Sequence, residues 1–310
     1  MSPEASARTA SAARRAGRKL SSALLSGFFS GFLAALSSAA LFAAACSDAA
    51  ACEESALGTS RVLPVGTQGG LEIGLKTYPR TLPLADHEVV LTFDDGPLPA
   101  TTGKLLDALK SQCVRATFFM VGRMAAAAPA LARRVAEEGH TVAYHSFSHP
   151  LMRLLSEKAA RADIEHGFQA VDQAVYGSAG DKPRTPFFRF PGFADTPALD
   201  AWLASRDIGV FGTDLWAADW WPMTPQAEAA AMLARLEKDK RGIILFHDIR
   251  AQTVAMMPAF LRELKARGYH VVHLVPGPGK ADTREAGPGW SSETERVIAE
   301  ILGRARSDHN

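Results

Sequence analysis

Glu88-Val89-Val90-Leu91-Thr92-Phe93-Asp94-Asp95-Gly96-Pro97 joins a short β-branched and aromatic run to an acidic turn. The first six residues predict a strand, and Asp, Gly and Pro supply the chemistry that ends it. Similar runs recur downstream at Ala116–Val121, Thr141–Tyr144, Phe187–Phe190, Gly209–Gly212, Gly242–Phe246 and His270–Leu274. Between them lie stretches with helical spacing: Thr101–Lys110, Pro129–Glu138, Ser156–Tyr176, Thr196–Ser205, Thr224–Glu237 and Thr253–Lys265. Thr196-Pro197 and Thr224-Pro225 have the form of an N-cap followed by a first-turn proline, while Gly139, Gly177 and Gly268 mark ends. Strands alternating with helices imply right-handed βαβ units and a mostly parallel sheet. Closed, the sheet is a barrel short of a full (β/α)₈; open, it is doubly wound, and periodicity alone does not choose.

The flanks read differently. Arg14, Arg15, Arg18 and Lys19 precede an uncharged run of 26 residues, Leu20 to Ala45, which predicts export by a signal peptide or an N-terminal membrane anchor over residues 1–46. Residues 47–86, rich in Ala, Gly, Ser and Pro, are expected to be a linker and irregular lead-in. The catalytic domain is expected over 87–275. Pro276-Gly277-Pro278-Gly279 then breaks the pattern, and Ser292 to Glu295 opens a last helix with a capping box, within a C-terminal region of 276–310.

The whole chain of 310 residues carries 34 Lys and Arg against 33 Asp and Glu, a net charge of +1, so a nucleic-acid partner bound through a basic surface is disfavoured. Hydrophobic residues at 47% and charged residues at 22% exclude disorder over most of the length. Three cysteines are too few for a disulfide framework, and Cys113, at the end of a helical stretch, reads as a small buried apolar group. Nothing implies a protein partner.

The chemistry concentrates at the C-terminal ends of the expected strands, the edge that carries reactive groups in α/β barrels and open sheets. Asp94 and Asp95 follow the first strand, His145 and His149 the third, Arg189 lies at the fourth, Asp219 follows the fifth, and His247 and Asp248 the sixth. Asp-Asp-Gly-Pro alone is more often a solvated turn, and two histidines four apart are weak evidence. On one helical turn, however, they would point both rings the same way. Two imidazoles and one carboxylate make an N,N,O set with open positions, as in a catalytic divalent-metal site, and a second carboxylate is then available as base. An ordinary Asp is a weak base, so Asp94 needs a metal to make its water acidic. His247 can hold a proton near neutrality for a poor leaving group, and Arg189 can orient Asp94. Trp216, Trp220 and Trp221 read equally as packing or as a wall for a sugar ring, Trp220 being the better candidate because Asp219 precedes it. His140, His166, His270, His273 and His309 read as structural or solvated.

From about Glu88 to Val275 the chain resembles the polysaccharide deacetylases, carbohydrate esterase family 4, also known as the nodulation-protein-B homology domain. The resemblance is carried by Thr92-Phe93-Asp94-Asp95-Gly96-Pro97, His145-Ser146-Phe147-Ser148-His149-Pro150, Arg189-Phe190-Pro191-Gly192-Phe193, Asp219-Trp220 and Leu245-Phe246-His247-Asp248, in the family's order. It implies a distorted (β/α)₇ barrel resembling an incomplete TIM barrel. A divalent metal ion, usually Zn²⁺, is expected on Asp95, His145 and His149. Asp94 is expected as general base, His247 as general acid, Arg189 as the partner of Asp94 and Asp219 as the support of His247. Phe193, Trp220 and Leu245 would shape the substrate pocket. The implied reaction is removal of N-acetyl groups from a chitin-like oligosaccharide or cell-envelope glycan, in the periplasm or envelope. O-acetyl esterase activity, as on acetylxylan, and non-catalytic glycan binding are the alternatives. Two departures stand out. Gly192-Phe193 replaces the common aromatic-glycine order, which leaves the oxyanion N–H undecided, and Trp216-Ala217-Ala218 replaces an acidic residue and proline.

Overall fold

The computed structural model describes residues 52 and 55–299; the expected leader over 1–46 lies outside them. In chain order the elements are β1 (Thr59–Gly66), β2 (Leu71–Ile73), β3 (Arg80–Thr81), β4 (Glu88–Asp94), α1 (Thr102–Ser111), β5 (Thr117–Met120), α2 (Gly122–Ala127), α3 (Pro129–Glu137) and β6 (Thr141–Tyr144). They continue as α4 (Glu157–Tyr176), β7 (Phe187–Phe188), α5 (Pro197–Ala204), β8 (Gly209–Phe211), β9 (Leu215–Trp216), α6 (Pro225–Asp239), β10 (Gly242–His247), α7 (Ala251–Ala266), β11 (His270–Gly277) and β12 (Arg284–Glu285). The expected caps form: Thr196 and Thr224 accept the amides of Leu199 and Ala227, and Gly177 ends α4 at φ 73°.

Strands β10, β4, β5, β6, β7, β8 and β2 pair in parallel in that order. What closes the barrel is one stretch of chain serving two partners. As β8 it pairs with β7, and a few residues later, as β9, it pairs with β10. The Asp214 and Ala217 amides bond the carbonyls of Ile243 and Leu245 across that seam. The arrangement is the distorted parallel barrel that the resemblance implies.

Side-chain alternation then positions the site. Val90, Phe119, Ala143, Phe187, Phe211 and Ile243 share the inner core, whereas Val89, Leu91, Phe93, Val142, Tyr144, Phe188, Ile244 and Phe246 pack outward with the helices. Two residues on from an inward position is again inward, so Thr92, His145, Arg189 and Leu245 point into the barrel. Asp94 and His247, four on from Val90 and Ile243, do likewise at the rim, where they are register partners.

Three expectations need correction. Residues 59–81, expected to be linker, form β1 to β3, with β1 parallel to β11 over seven paired positions. An outlying strand needs few apolar residues and tolerates Pro64, so no strong run betrays it. Next, Cys113 is not a free thiol but is joined to Cys52 across 61 residues. A low cysteine count argues against a network of bridges, not against a single staple. Beside the bridge, Gly58 N–H bonds Gln112 O at 2.8 Å and Arg115 N–H bonds Thr59 Oγ1 at 2.8 Å, docking the lead-in against the end of α1. Finally, the C-terminal region is not a bare linker before its helix: β11 runs to Gly277, β12 pairs antiparallel with β3, and residues 293–299 are helical, with Ser292 Oγ accepting the Glu295 amide.

Candidate active site

Arg189 lies fully buried inside the barrel and each of its three side-chain nitrogens donates. Its guanidinium bonds Asp94 Oδ1 at 2.7 Å, Thr92 Oγ1 at 2.9 Å and the carbonyls of Phe211 and Gly212 at 3.0 and 2.9 Å, and it lies 4.1 Å from the centroid of Phe119. Asp94 is therefore a buried carboxylate fixed on one oxygen. Burial pushes its pKa up to about 6, against the lowering pull of Arg189.

Asp95 follows in the left-handed region, φ 80°, which turns its carboxylate out of the strand direction and towards the histidines. Gly96 is required beside it: a Cβ there would lie 1.9 Å from Asp248 Oδ2. Asp248 is itself buried beneath the turn, accepts from Thr102 Oγ1 at 2.6 Å and is pushed up to about 7 by burial.

His145 and His149 do not sit on a helical turn. They occupy an irregular loop with Ser146 at φ 64° and His149 at φ 61°, and this path brings their rings to 4.9 Å between centroids. The loop is held from below by α4. Asp163 Oδ1 accepts the amides of Phe147 and Ser148 at 3.0 and 3.2 Å, and Gly167 lets the helix approach the Ser146 carbonyl, where a Cβ would come within 2.4 Å of the backbone. Neither residue belongs to a reactive pattern, so sequence reasoning missed both; a glycine within a long amphipathic helix was the available signal.

Asp95 Oδ1 lies 3.1 Å from His149 Nε2 and 3.5 Å from His145 Nε2, and the three ligand-type atoms fall within 4.8 Å of one another. That oxygen is buried yet accepts no hydrogen bond. His145 donates Nδ1–H to the Arg189 carbonyl at 2.8 Å, which turns the lone pair of Nε2 towards Asp95. Burial, with His149 alongside, holds His145 down to about 3 and so neutral, the form that ligates. Burial opposes ionisation of Asp95, but the contact with His149 and the nearby His247 and His145 keep it well below the usual carboxylate range. A buried anionic oxygen with no hydrogen-bond donor, facing the ring nitrogens of two histidines, fits a divalent cation.

Across the rim, His247 Nδ1 is 2.7 Å from Asp219 Oδ1, and its backbone amide donates to Asp219 Oδ2 at 2.7 Å. Burial disfavours the imidazolium, yet fully buried Asp219, helped by Asp95 and Asp94, pushes His247 up to about 9. Its Nε2 lies 4.0 Å from Asp95 Oδ2. From His247 an aromatic strip leads outward: Trp220 at 6.1 Å between centroids, Trp216 at 5.6 Å from Trp220, and Phe193 at 6.5 Å from Trp216. Leu245 is buried one inward step below His247, whereas Trp221 is exposed. The N–H of Phe193 is committed to the Phe190 carbonyl at 2.9 Å, so it is not the donor for an oxyanion. Lys76 lies over Trp216 at 5.1 Å and was not foreseen, because residues 47–86 read as a linker.

At the rim of the parallel α/β barrel, His247 paired with Asp219 thus stands on one side of the Asp95, His145 and His149 cluster and Asp94 clamped by Arg189 on the other. Residues 82–208 match the family model for polysaccharide deacetylase. The chain is 31% identical over 200 residues to a peptidoglycan-N-acetylglucosamine deacetylase of Bacillus cereus, covering 63% of this chain and 72% of that one. It is 31% identical over 213 residues to the chitooligosaccharide deacetylase of Sinorhizobium fredii, covering 64% and 95%. Among solved structures, the peptidoglycan deacetylase of Bdellovibrio bacteriovorus superposes with a TM-score of 0.64 at 34% identity, over 72% of this chain and 61% of that one. This chain belongs to the polysaccharide deacetylase family, as a polysaccharide N-deacetylase.

Proposed function

We propose that the chain hydrolyses the N-acetyl groups of an acetylated amino-sugar glycan, a chitin-like oligosaccharide or cell-envelope polysaccharide, releasing acetate and leaving a free amine. The observation that carries the reading is the flanking of the Asp95, His145 and His149 cluster by two oppositely poised pairs, Arg189–Asp94 and Asp219–His247. Asp95, His145 and His149 would hold a divalent cation, Zn²⁺ by its preference for such N and O donors, whose contribution is to polarise the acetyl carbonyl and acidify water.

The protein's own residues do the rest. Asp94, ionised and held by Arg189, takes the proton from the attacking water. With the Phe193 N–H committed to Phe190, the neighbouring amide of Gly192 would be the donor to the carbonyl oxygen as it gains charge. His247, protonated against Asp219, delivers a proton to the nitrogen as the C–N bond breaks, so the amine leaves neutral. Trp220, Phe193 and Leu245 form the apolar wall for the sugar and acetyl methyl.

The leader-like N-terminus and the Cys52–Cys113 bridge both support action outside the cytoplasm, in the envelope or periplasm. No helix among the described residues is long and apolar enough to cross a membrane. The test is acetate release from chitin oligomers, peptidoglycan and acetylxylan, with metal analysis of the purified enzyme. Release from acetylglucosamine-containing glycans, lost on chelation and restored by Zn²⁺, is expected; release from acetylxylan alone would overturn the N-acetyl assignment.

A further inference from the structure

Behind the His247–Asp219 pair lies an acid that the mechanism above does not use. Glu228, on the first turns of α6, is fully buried. Its Oε1 is 2.9 Å from Thr253 Oγ1 on α7, and its Oε2 has no partner. The same Thr253 oxygen is 2.8 Å from Asp219 Oδ2.

One hydroxyl oxygen thus lies at hydrogen-bond distance from two carboxyl groups, and a hydroxyl has one proton to give. Asp219 has the surroundings of an anion, since the ring N–H and the backbone N–H of His247 both converge on it. Glu228 has none of these: an ionised carboxylate there would be buried with no N–H and no cation bound to it. The charged groups that face it are Asp219, which repels a negative charge, and the more distant His247. Both short contacts are satisfied together only if Thr253 donates to Asp219 while Glu228 supplies the proton on its own side.

We infer that Glu228 is a protonated carboxylic acid that donates to Thr253 Oγ1, fixes the Thr253 hydroxyl on Asp219, and so acts as a positioning residue for the His247–Asp219 pair. The inference rests on the proposed role of His247 as proton donor. Burial, which pushes Glu228 up to about 7, is in keeping with it. An apolar side chain of the same volume would fill the space but leave the hydroxyl free to rotate away from Asp219.

The test uses E228Q, whose amide can still donate to Thr253, E228M, which keeps the bulk and loses the donor, and T253V. E228M and T253V are expected to lower kcat by roughly ten- to hundredfold with little change in KM, on the scale of other hydrogen-bond partners of site histidines. E228Q is expected to rescue most of that loss, and E228M/T253V to be no worse than either single change. Independently of activity, the infrared difference between wild type and E228Q in mildly acidic buffer is expected to contain the carbonyl stretch of a protonated acid. A carboxylate band in its place, or full kcat in E228M, would overturn the inference. Absence of acetate release by the wild type from every glycan would instead count against the proposed function, and the infrared result would still decide the state of Glu228.

Discussion

In the proposed reaction Asp94 and His247 have opposite requirements: one must have lost its proton and the other must have kept it. With Asp94 raised to about 6, the base is disabled as pH falls through that value; with His247 raised to about 9, the acid is disabled as pH rises through that one. A bell-shaped kcat/KM is therefore expected, with limbs near those values. D219N should pull the alkaline limb down towards an ordinary imidazole, about 6.5, and an unmoved limb would show that another group sets it. D94N should lower acetate release by about 10²- to 10⁴-fold, while metal content, measured on the same sample, stays unchanged. The residues proposed for these roles were legible as a rim cluster because each stands where a strand ends, a position that sequence periodicity marks. Glu228 and Thr253 were not, since a glutamate near a helix start and a threonine in the next helix match what solvated surfaces also contain. Only folding reveals that they meet over Asp219.

At the scale of elements, α4 supports the His145–His149 loop. Gly167 costs the helix about 1 kcal/mol of intrinsic propensity relative to alanine, yet it is what allows the close approach to Ser146. G167A would place its Cβ against backbone, which has little room to yield. The expected result is a loss of about 1–3 kcal/mol in denaturant unfolding together with weaker metal affinity by titration. Unchanged affinity would mean that the loop is held by Asp163 alone. Helix and strand positions in the barrel were largely legible from the 3.6- and 2-residue periods and from caps such as Thr224-Pro225. The path of the histidine loop was not, because its turns rest on left-handed backbone at Ser146 and His149, residue types that carry no such signal.

At the scale of the molecule, the segments before and after the expected barrel complete it. Residues 59–66 escaped detection as a strand because Pro64 interrupts their short apolar run, Val62 to Val65, and Ser60, Val62 and Pro64 face solvent beside β11. The Cys52–Cys113 bridge closes a 61-residue loop, for which chain entropy gives about 4 kcal/mol of stabilisation. C52S or C113S should lose up to that amount in denaturant unfolding and, at low temperature, keep full turnover, since the bridge adjoins the barrel end opposite the catalytic rim. Loss of turnover at a temperature where the variant remains folded would contradict this.

The C-terminal segment reaches the other end. Trp290 Nε1 donates to the Leu75 carbonyl at 2.7 Å, the Glu293 and Thr294 amides meet the Lys76 carbonyl at 2.9 and 3.1 Å, and Glu293 pairs with the Lys76 ammonium over Trp216. Glu295 pairs with Arg153, which in turn bonds Asp195 at 2.8 Å. A chain shortened to end before Trp290 should therefore still fold and still cleave the smallest acetylated sugars. If the proposed aromatic wall extends to Trp216, the same chain should lose more rate on long oligomers than on the monomer, because the Lys76–Glu293 pair beside that ring would be gone. Comparing monomer and hexamer hydrolysis by the full and shortened chains would reveal the tail as a ruler of polymer length.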